Sequence, residues 1–337
     1  MIQNATLSRS ASLVFDANIV IKSTERLCTS KSLKFAFIAE QQADYPVALM
    51  CQTLGVAVSG YYAWRSRRPS RRATSDRALQ RRITTIHAAS RGVYGSPKIH
   101  QQLRQEGWRC SRKRVIRLMR QADLRAKRQR CYKRTTRRNP AQPVAPNQLK
   151  QQFVATCPNQ IWLADLTFIP TDEGWLYLAT VMDLYSRRIV GWAMAARMTD
   201  DLSQLALRMA LATRPVSPQQ LLHHSDQGSQ YTSAAYQRLL ADHQIQVSMS
   251  GVGNCYDNAP MESFFSLLKT ELVYHERYAT RQAARTSIFD YIEIFYNRQR
   301  IHGALGYLTP LAYEQRWLHA LQDIDQVSFA ANALAMT

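Results

Sequence analysis

The sequence predicts a mixed α/β domain preceded by an all-α, strongly basic region. Three observations carry this. Five short apolar runs with strand character fall at 161–169, 175–183, 188–195, 219–223 and 245–249, with helical periodicity at 200–213 and 232–243 between the later ones. Upstream, from about 34 to 121, apolar residues recur only at helical spacing. Charge is also unevenly spread. The chain of 337 residues carries 44 Lys and Arg against 24 Asp and Glu, and the stretch Tyr61 to Pro140 alone holds 25 basic and 3 acidic residues, a net of +22.

The elements follow in order. Residues 1–33 show no periodicity and no motif; they form an unassigned extension, expected to be disordered. Residues 34–135 form the helical region. Within it, LGVAVSGYYAWR (54–65) reads as the turn and second helix of a helix-turn-helix unit, with Gly55 at the turn and Ser59 as the cap. Leu79, Ile83 and Ile86 mark a further helix, and GVYGSPKIHQQLRQEG (92–107) gives a turn and a helix starting near Pro97. Ser111 caps a helix from Arg112 to Gln121 that buries Val115, Leu118 and Met119. Its outer face carries Arg112, Lys113, Arg114, Arg117 and Arg120, the pattern of a helix that enters a DNA groove. The alternative is a basic surface helix without sequence preference. Residues 136–155, with Pro140, Pro143 and Pro146, read as a linker. The α/β domain spans 156–317, and 318–337 is expected as a C-terminal tail.

A segment this basic points to a polyanion partner, whose binding should weaken steeply with salt. Six cysteines without a CxxC pair argue against a zinc ribbon or finger and against a disulfide framework. No uncharged apolar run approaches the roughly 18 residues of a membrane span, and no signal peptide is evident, so a cytoplasmic, nucleoid-associated location is expected.

Three acids carry the chemistry. Asp165 interrupts the apolar run IWLADLTFIPT (161–171); a carboxylate buried there should be paired or bind a metal ion. The alternative is an Asp held by backbone amides. Asp226, in LLHHSDQGSQYTS (221–233), stands just beyond a strand, where open α/β sheets place their ligands; the alternative is a turn-forming Asp beside Gly228. Glu262, in GNCYDNAPMESFFSLLKTEL (253–272), lies on a helix capped by Asn258, with Pro260 in its first turn. Asn258, Glu262, Ser266 and Lys269 form one polar stripe, and Met261, Phe264, Phe265, Leu268 and Leu272 an apolar one. The polar stripe is either a solvated face or one that looks into a cleft and lets Lys269 meet a DNA phosphate. Together the acids suit two divalent cations in phosphoryl transfer on nucleic acid. The spacing of the acids alone proves little; the three settings carry the reading. A fourth acid, Asp183, is expected to be structural, through Ser186 or the backbone. The polar stretch 250–258 is expected to be a mobile loop beside the site.

WLADLTFIPT, HSDQGSQYTS and NCYDNAPMESFFSLLKTEL, followed by YNRQRIHGALGYLTPLAYE (296–314), resemble bacterial transposases of the insertion-sequence-three family, in particular the second-frame product. The resemblance covers roughly Lys34 to Trp317. It implies a ribonuclease-H-like core of the retroviral-integrase superfamily behind a helix-turn-helix DNA-binding region. It assigns Asp165, Asp226 and Glu262 as catalytic acids and metal ligands for two Mg²⁺ (or Mn²⁺) ions. Arg112, Lys113, Arg114, Arg117, Arg120, Asn258 and Lys269 are expected on DNA. The implied activity is cleavage at terminal inverted repeats and strand transfer into target DNA, by a homo-oligomer, with the first-frame product of the same element as a further partner. The alternatives are a ribonuclease-H-like nuclease or resolvase, or a non-catalytic DNA-binding regulator. Gly303 departs from the family, which has Ser before ALGY, and the first 33 residues lack a leucine heptad seam.

Overall fold

The computed structural model describes residues 30–127, 145–149, 153–251 and 255–335. The chain divides into two compact units, Met1–Ala78 and Leu79–Thr337. In the first, helices α1 (Lys31–Gln41), α2 (Val47–Thr53) and α3 (Val58–Ser66) enclose Ile38, Met50, Cys51, Leu54 and Tyr61. Gly55 makes the α2–α3 turn at φ +62°, a conformation that favours glycine. Ala57, not Ser59, is the N-cap of α3; Ser59 falls inside its first turn.

Helix α4 (Arg71–Ala89) crosses the boundary between the units. In the second unit its later half packs with α5 (Ser96–Gln105) and α6 (Arg112–Gln121) through Leu79, Ile83, Ile99, Leu103, Val115 and Leu118. The Ser111 hydroxyl accepts from the Arg114 amide at 3.3 Å, the cap that the sequence calls for. The same cluster includes Ile301, so these helices share a core with the end of the α/β domain.

The α/β domain is built on a five-stranded mixed sheet in the order β3-β2-β1-β4-β5. Strands β1 (Ile161–Thr171), β2 (Gly174–Asp183) and β3 (Ile189–Ala195) are an antiparallel meander; β4 (Leu222–Ser225) and β5 (Gln246–Met249) add in parallel on the other side of β1. β1 is therefore central, and its first four residues, Ile161–Ala164, are buried on both faces as their apolar run demands, whereas the strand's far end emerges at Phe168. One face packs Leu163, Ile169 and Leu178 against α10 (Ala259–Glu271) and α11 (Arg281–Phe289). The other packs Trp162, Ala164 and Val181 against α7 (Asp200–Thr213) and α9 (Ala234–Asp242); a four-residue helix α8 (Ser229–Thr232) precedes α9. At Gly191 a side chain would meet the Ala206 carbonyl at 2.2 Å, so α7 lies on β3 at a distance only glycine allows.

The helix that carries Glu262 ends at Glu271 and gives way to a separate 3₁₀ turn, Val273–His275, and α11 passes into a π-helix, Asp290–Tyr296. Two expectations change. The stretch expected as a tail from 318 continues a helix, α12 (Pro310–Ala335). The described part of the expected linker is anchored: Leu149 is buried in the core, and the Gln148 amide donates to Ser248 Oγ on β5 at 2.9 Å. Residues 1–29 and 252–254, part of the expected mobile loop, lie outside the described residues.

Candidate active site

Asp165 is on β1 and Asp226 directly follows β4. These strands are parallel neighbours, with Trp162 opposite His223 and Leu163 opposite His224. Two more residues along each strand bring Asp165 level with Asp226, on strands about 4.8 Å apart where they pair. The acids thus stand side by side at the carboxyl end of the parallel pair.

Each carboxylate is oriented locally. Asp165 Oδ1 accepts from the Leu166 amide at 2.7 Å, and Asp226 Oδ1 from the Gly228 amide at 3.0 Å. Burial pushes the Asp226 carboxyl above its ordinary range, and the Gly228 amide pulls it partly back. The ionised form is thus short of compensating charge.

Glu262 reaches the same end of the sheet by a different device. Asn258 occupies the N-cap position of α10 but makes no side-chain cap. Its Nδ2 instead donates to the carbonyl of Ala164, next to Asp165, at 3.1 Å. This bond ties the start of α10 to β1, and Glu262 follows one turn later. Asn258 is only 6% exposed, so the expectation that it contacts DNA is replaced by this internal tie. The segment before α10 is fixed by Asp257, whose Oδ2 accepts from Asn147 Nδ2 and the Gly251 amide, both at 2.8 Å.

Lys269, two turns beyond Glu262, is half-buried with its Nζ 5.0 Å from the Phe168 ring centroid. Burial lowers its pKa and the nearby Asp165 raises it, so the ammonium and that carboxylate are within electrostatic reach. Asp183 is structural as expected: fully buried, it accepts from Ser186 N and Oγ at 2.8 Å and from the Asn159 amide at 2.7 Å.

One residue at this site escaped the sequence reading. Tyr231, on α8, is 1% exposed, and its hydroxyl has no hydrogen-bond partner. Burial pushes it well above its ordinary pKa, with Tyr236, Asp165 and Asp226 adding to the effect. The buried Oδ1 of Asn258 also lacks a partner. Orphaned polar atoms of this kind are costly and mark a place for water or an ion. The signal in the sequence was slight: an aromatic residue five positions after Asp226 in a polar stretch.

Among the described residues, no three His, Cys, Asp or Glu side chains form a ready-made ligand cluster. The backbone thus brings two acids level and the third near, without closing their side chains on one point.

On α6, Arg112, Lys113 and Arg120 are exposed as expected, whereas Arg114 and Arg117 are half-buried. Lys113, Ile116, Arg117, Arg120 and Gln121 line an open groove of about 370 Å³. The 296–314 segment packs back on the protein: His302 pairs with Leu308, its ring lies 4.9 Å from Tyr296, and Tyr307 packs on the α4–α6 cluster. At Gly303 an added side chain would meet nothing within 4 Å, so the serine of the family would fit there.

Residues 155–255 and 262–318 match two models described as integrase core domain, and residues 74–132 match an HTH-like domain. The chain is 42% identical over 287 residues to the transposase InsF for insertion sequence IS3A of Escherichia coli K12, covering 84% of this chain and 99% of that one. The chain belongs to the IS3-family transposases. The transposase is also 46% identical over 269 residues to the insertion element IS600 uncharacterized 31 kDa protein of Shigella sonnei, covering 80% of this chain and 98% of that protein. Among solved structures, the HTLV-2 integrase catalytic core domain in complex with magnesium is similar at a TM-score of 0.36 and 16% identity, over 48% of this chain and 99% of that one. No described helix of the transposase is long and apolar enough to cross a membrane.

Proposed function

We propose that the transposase cuts and joins DNA at the terminal inverted repeats of its element, with Asp165, Asp226 and Glu262 as catalytic acids and ligands of two divalent cations. The observation that carries this is the level placement of Asp165 and Asp226 on neighbouring parallel strands, with Glu262 tied to the same end by the Asn258–Ala164 bond. The donor set is all carboxylate, which suits Mg²⁺ or Mn²⁺ rather than softer metals. The unpartnered Tyr231 hydroxyl and Asn258 Oδ1 fit a site completed by ions and their waters.

The reaction is an in-line displacement at phosphorus. The oxygen of water, or of a DNA 3′-hydroxyl, forms a new bond to phosphorus as the bond to the leaving 3′-oxygen breaks; the nucleophile's proton is lost and the leaving oxygen gains one. When bound, the cations supply the deprotonated nucleophile and stabilise the leaving oxygen. The chain holds the phosphate at the sheet end. Lys269 offers a cation to a neighbouring phosphate, and the exposed Arg112, Lys113 and Arg120 of α6, with Arg114 and Arg117 along its flank, hold DNA beyond the site. Two element ends must be brought together, so a homo-oligomer is the working form, joined where needed by the first-frame product.

Labelled terminal-repeat DNA incubated with Mg²⁺ or Mn²⁺, with and without the first-frame product, tests this. Joined products from the wild type that disappear with Asp226→Asn are expected. Cleavage without joining favours a nuclease, and DNA binding with no metal-dependent product in any arm defeats both enzymatic readings.

A further inference from the structure

Phe168 and Trp175 are the two exposed aromatic residues of the β1–β2 hairpin, 50% and 48% accessible. They touch edge to face, with centroids 4.9 Å apart and planes at 79°. The pair is diagonal across the hairpin, since Phe168 stands opposite Tyr177 and Trp175 opposite Pro170. A contiguous exposed aromatic surface of this kind marks an interaction site.

Its surroundings narrow the partner. Phe168 lies three residues beyond Asp165 on β1, about 10 Å along the strand and on its alternate face, so Lys269 is what links the pair to the site. The Lys269 ammonium stands 5.0 Å from the Phe168 centroid. The acids of the hairpin turn are both engaged by arginines, Asp172 by Arg277 at 3.2 Å and Glu173 by Arg281 at 3.9 Å, so the turn presents no uncompensated negative charge to an anionic strand. A second copy of the chain fits less well. A two-fold contact through this patch brings like against like, with one Lys269 facing another.

We propose that Phe168 and Trp175 form a stacking platform for an unpaired nucleobase of the DNA strand that adjoins the reacting phosphate, with Lys269 on the phosphate between them. This rests on the DNA-processing reading above. Its consequence is a preference for frayed or overhanging ends: the platform holds a base that a closed duplex would keep stacked.

The test uses a DNA hairpin with a short 3′ overhang carrying 2-aminopurine and a blunt hairpin of the same stem, in Ca²⁺ so that no strand is cut. Wild-type protein should quench the 2-aminopurine and bind the overhang more tightly than the blunt end. The Phe168→Ala/Trp175→Ala variant should lose roughly 5- to 150-fold on the overhang, leave blunt-end binding unchanged and keep its circular dichroism spectrum. Unchanged overhang affinity and quenching in the variant overturns the platform. A shift from dimer to monomer on gel filtration, with the overhang preference intact, overturns it in favour of a self-contact. Wild-type protein that binds neither DNA contradicts the DNA-processing reading and the platform with it.

Discussion

His223, His224 and His302 are held neutral by burial, pushed down to about 3, about 4 and about 2. Like charge adds to this at two of them, from His224 on His223 and from Arg300, Lys98 and Arg187 on His302; at His224 the nearby Asp257 pulls the other way. The unfolded chain binds these protons near pH 6.5 and the folded chain does not. Stability is therefore complete above pH 6.5 and falls as pH drops below it, by about 1.4 kcal/mol per pH unit for each histidine. Thermal melts between pH 7 and 4.5 should show this slope, and His302→Gln should flatten it by one histidine's share. A melting temperature that is flat over this range would mean the rings are solvated. The same scale shows what sequence can and cannot reveal. Asp165 stands out because a carboxylate inside IWLADLTFIPT is physically expensive. Tyr231 does not, because nothing in QYT says that its hydroxyl will be sealed in without a partner.

At the scale of the element, the strand runs were legible because strands buried on both faces are nearly continuous in apolar residues, while helix ends were less so. Asn258 reads as a cap, but its side chain bonds Ala164 instead, a choice made by a strand 94 residues away. Asn258→Ala should lower strand cleavage more than it lowers stability, because it loosens α10, and Glu262 with it, from β1. Equal loss of both would make Asn258 a packing residue only. The other end of α10 is fixed by Glu271, which pairs with Arg300 at 2.6 Å and accepts from Tyr291 Oη at 2.8 Å, all three buried. Arg300→Met leaves Glu271 charged and unpaired, and should cost about 3–5 kcal/mol in urea unfolding. The double variant Glu271→Leu/Arg300→Met should recover much of that, and a double variant no better than the single would contradict the pairing.

For the whole molecule, sequence reasoning joined residues 34–135 into one DNA-binding region, and the structure draws the boundary of the compact units after Ala78. The reason is long-range. Tyr94 Oη donates to the Gln299 carbonyl at 3.1 Å and accepts from the Ile301 amide at 2.9 Å, Arg91 pairs with Asp290 at 2.6 Å, and Lys127 Nζ donates to the Glu271 carbonyl at 2.8 Å. Contacts across some 200 residues leave no local periodicity to read. They hold the basic helix α6 and the candidate acids in one body, so DNA bound to α6 as proposed would have a fixed path to the site. Tyr94→Phe strands the buried Ile301 amide and should cost about 1–3 kcal/mol. It should also reduce cleavage of long DNA more than of short end fragments; equal effects on both would mean that docking does not guide DNA.

In the proposed reaction Asp165 and Asp226 act through a shared divalent metal. Asp226→Cys and Asp165→Cys, assayed for strand cleavage and joining in Mg²⁺ and in Mn²⁺, test this. A thiolate is a poor ligand for Mg²⁺ and a better one for Mn²⁺. Both variants should be inactive in Mg²⁺, by at least about a hundredfold given the several kcal/mol a metal contributes, and should recover part of that activity in Mn²⁺. Wild-type activity in Mg²⁺ from either variant would contradict the account.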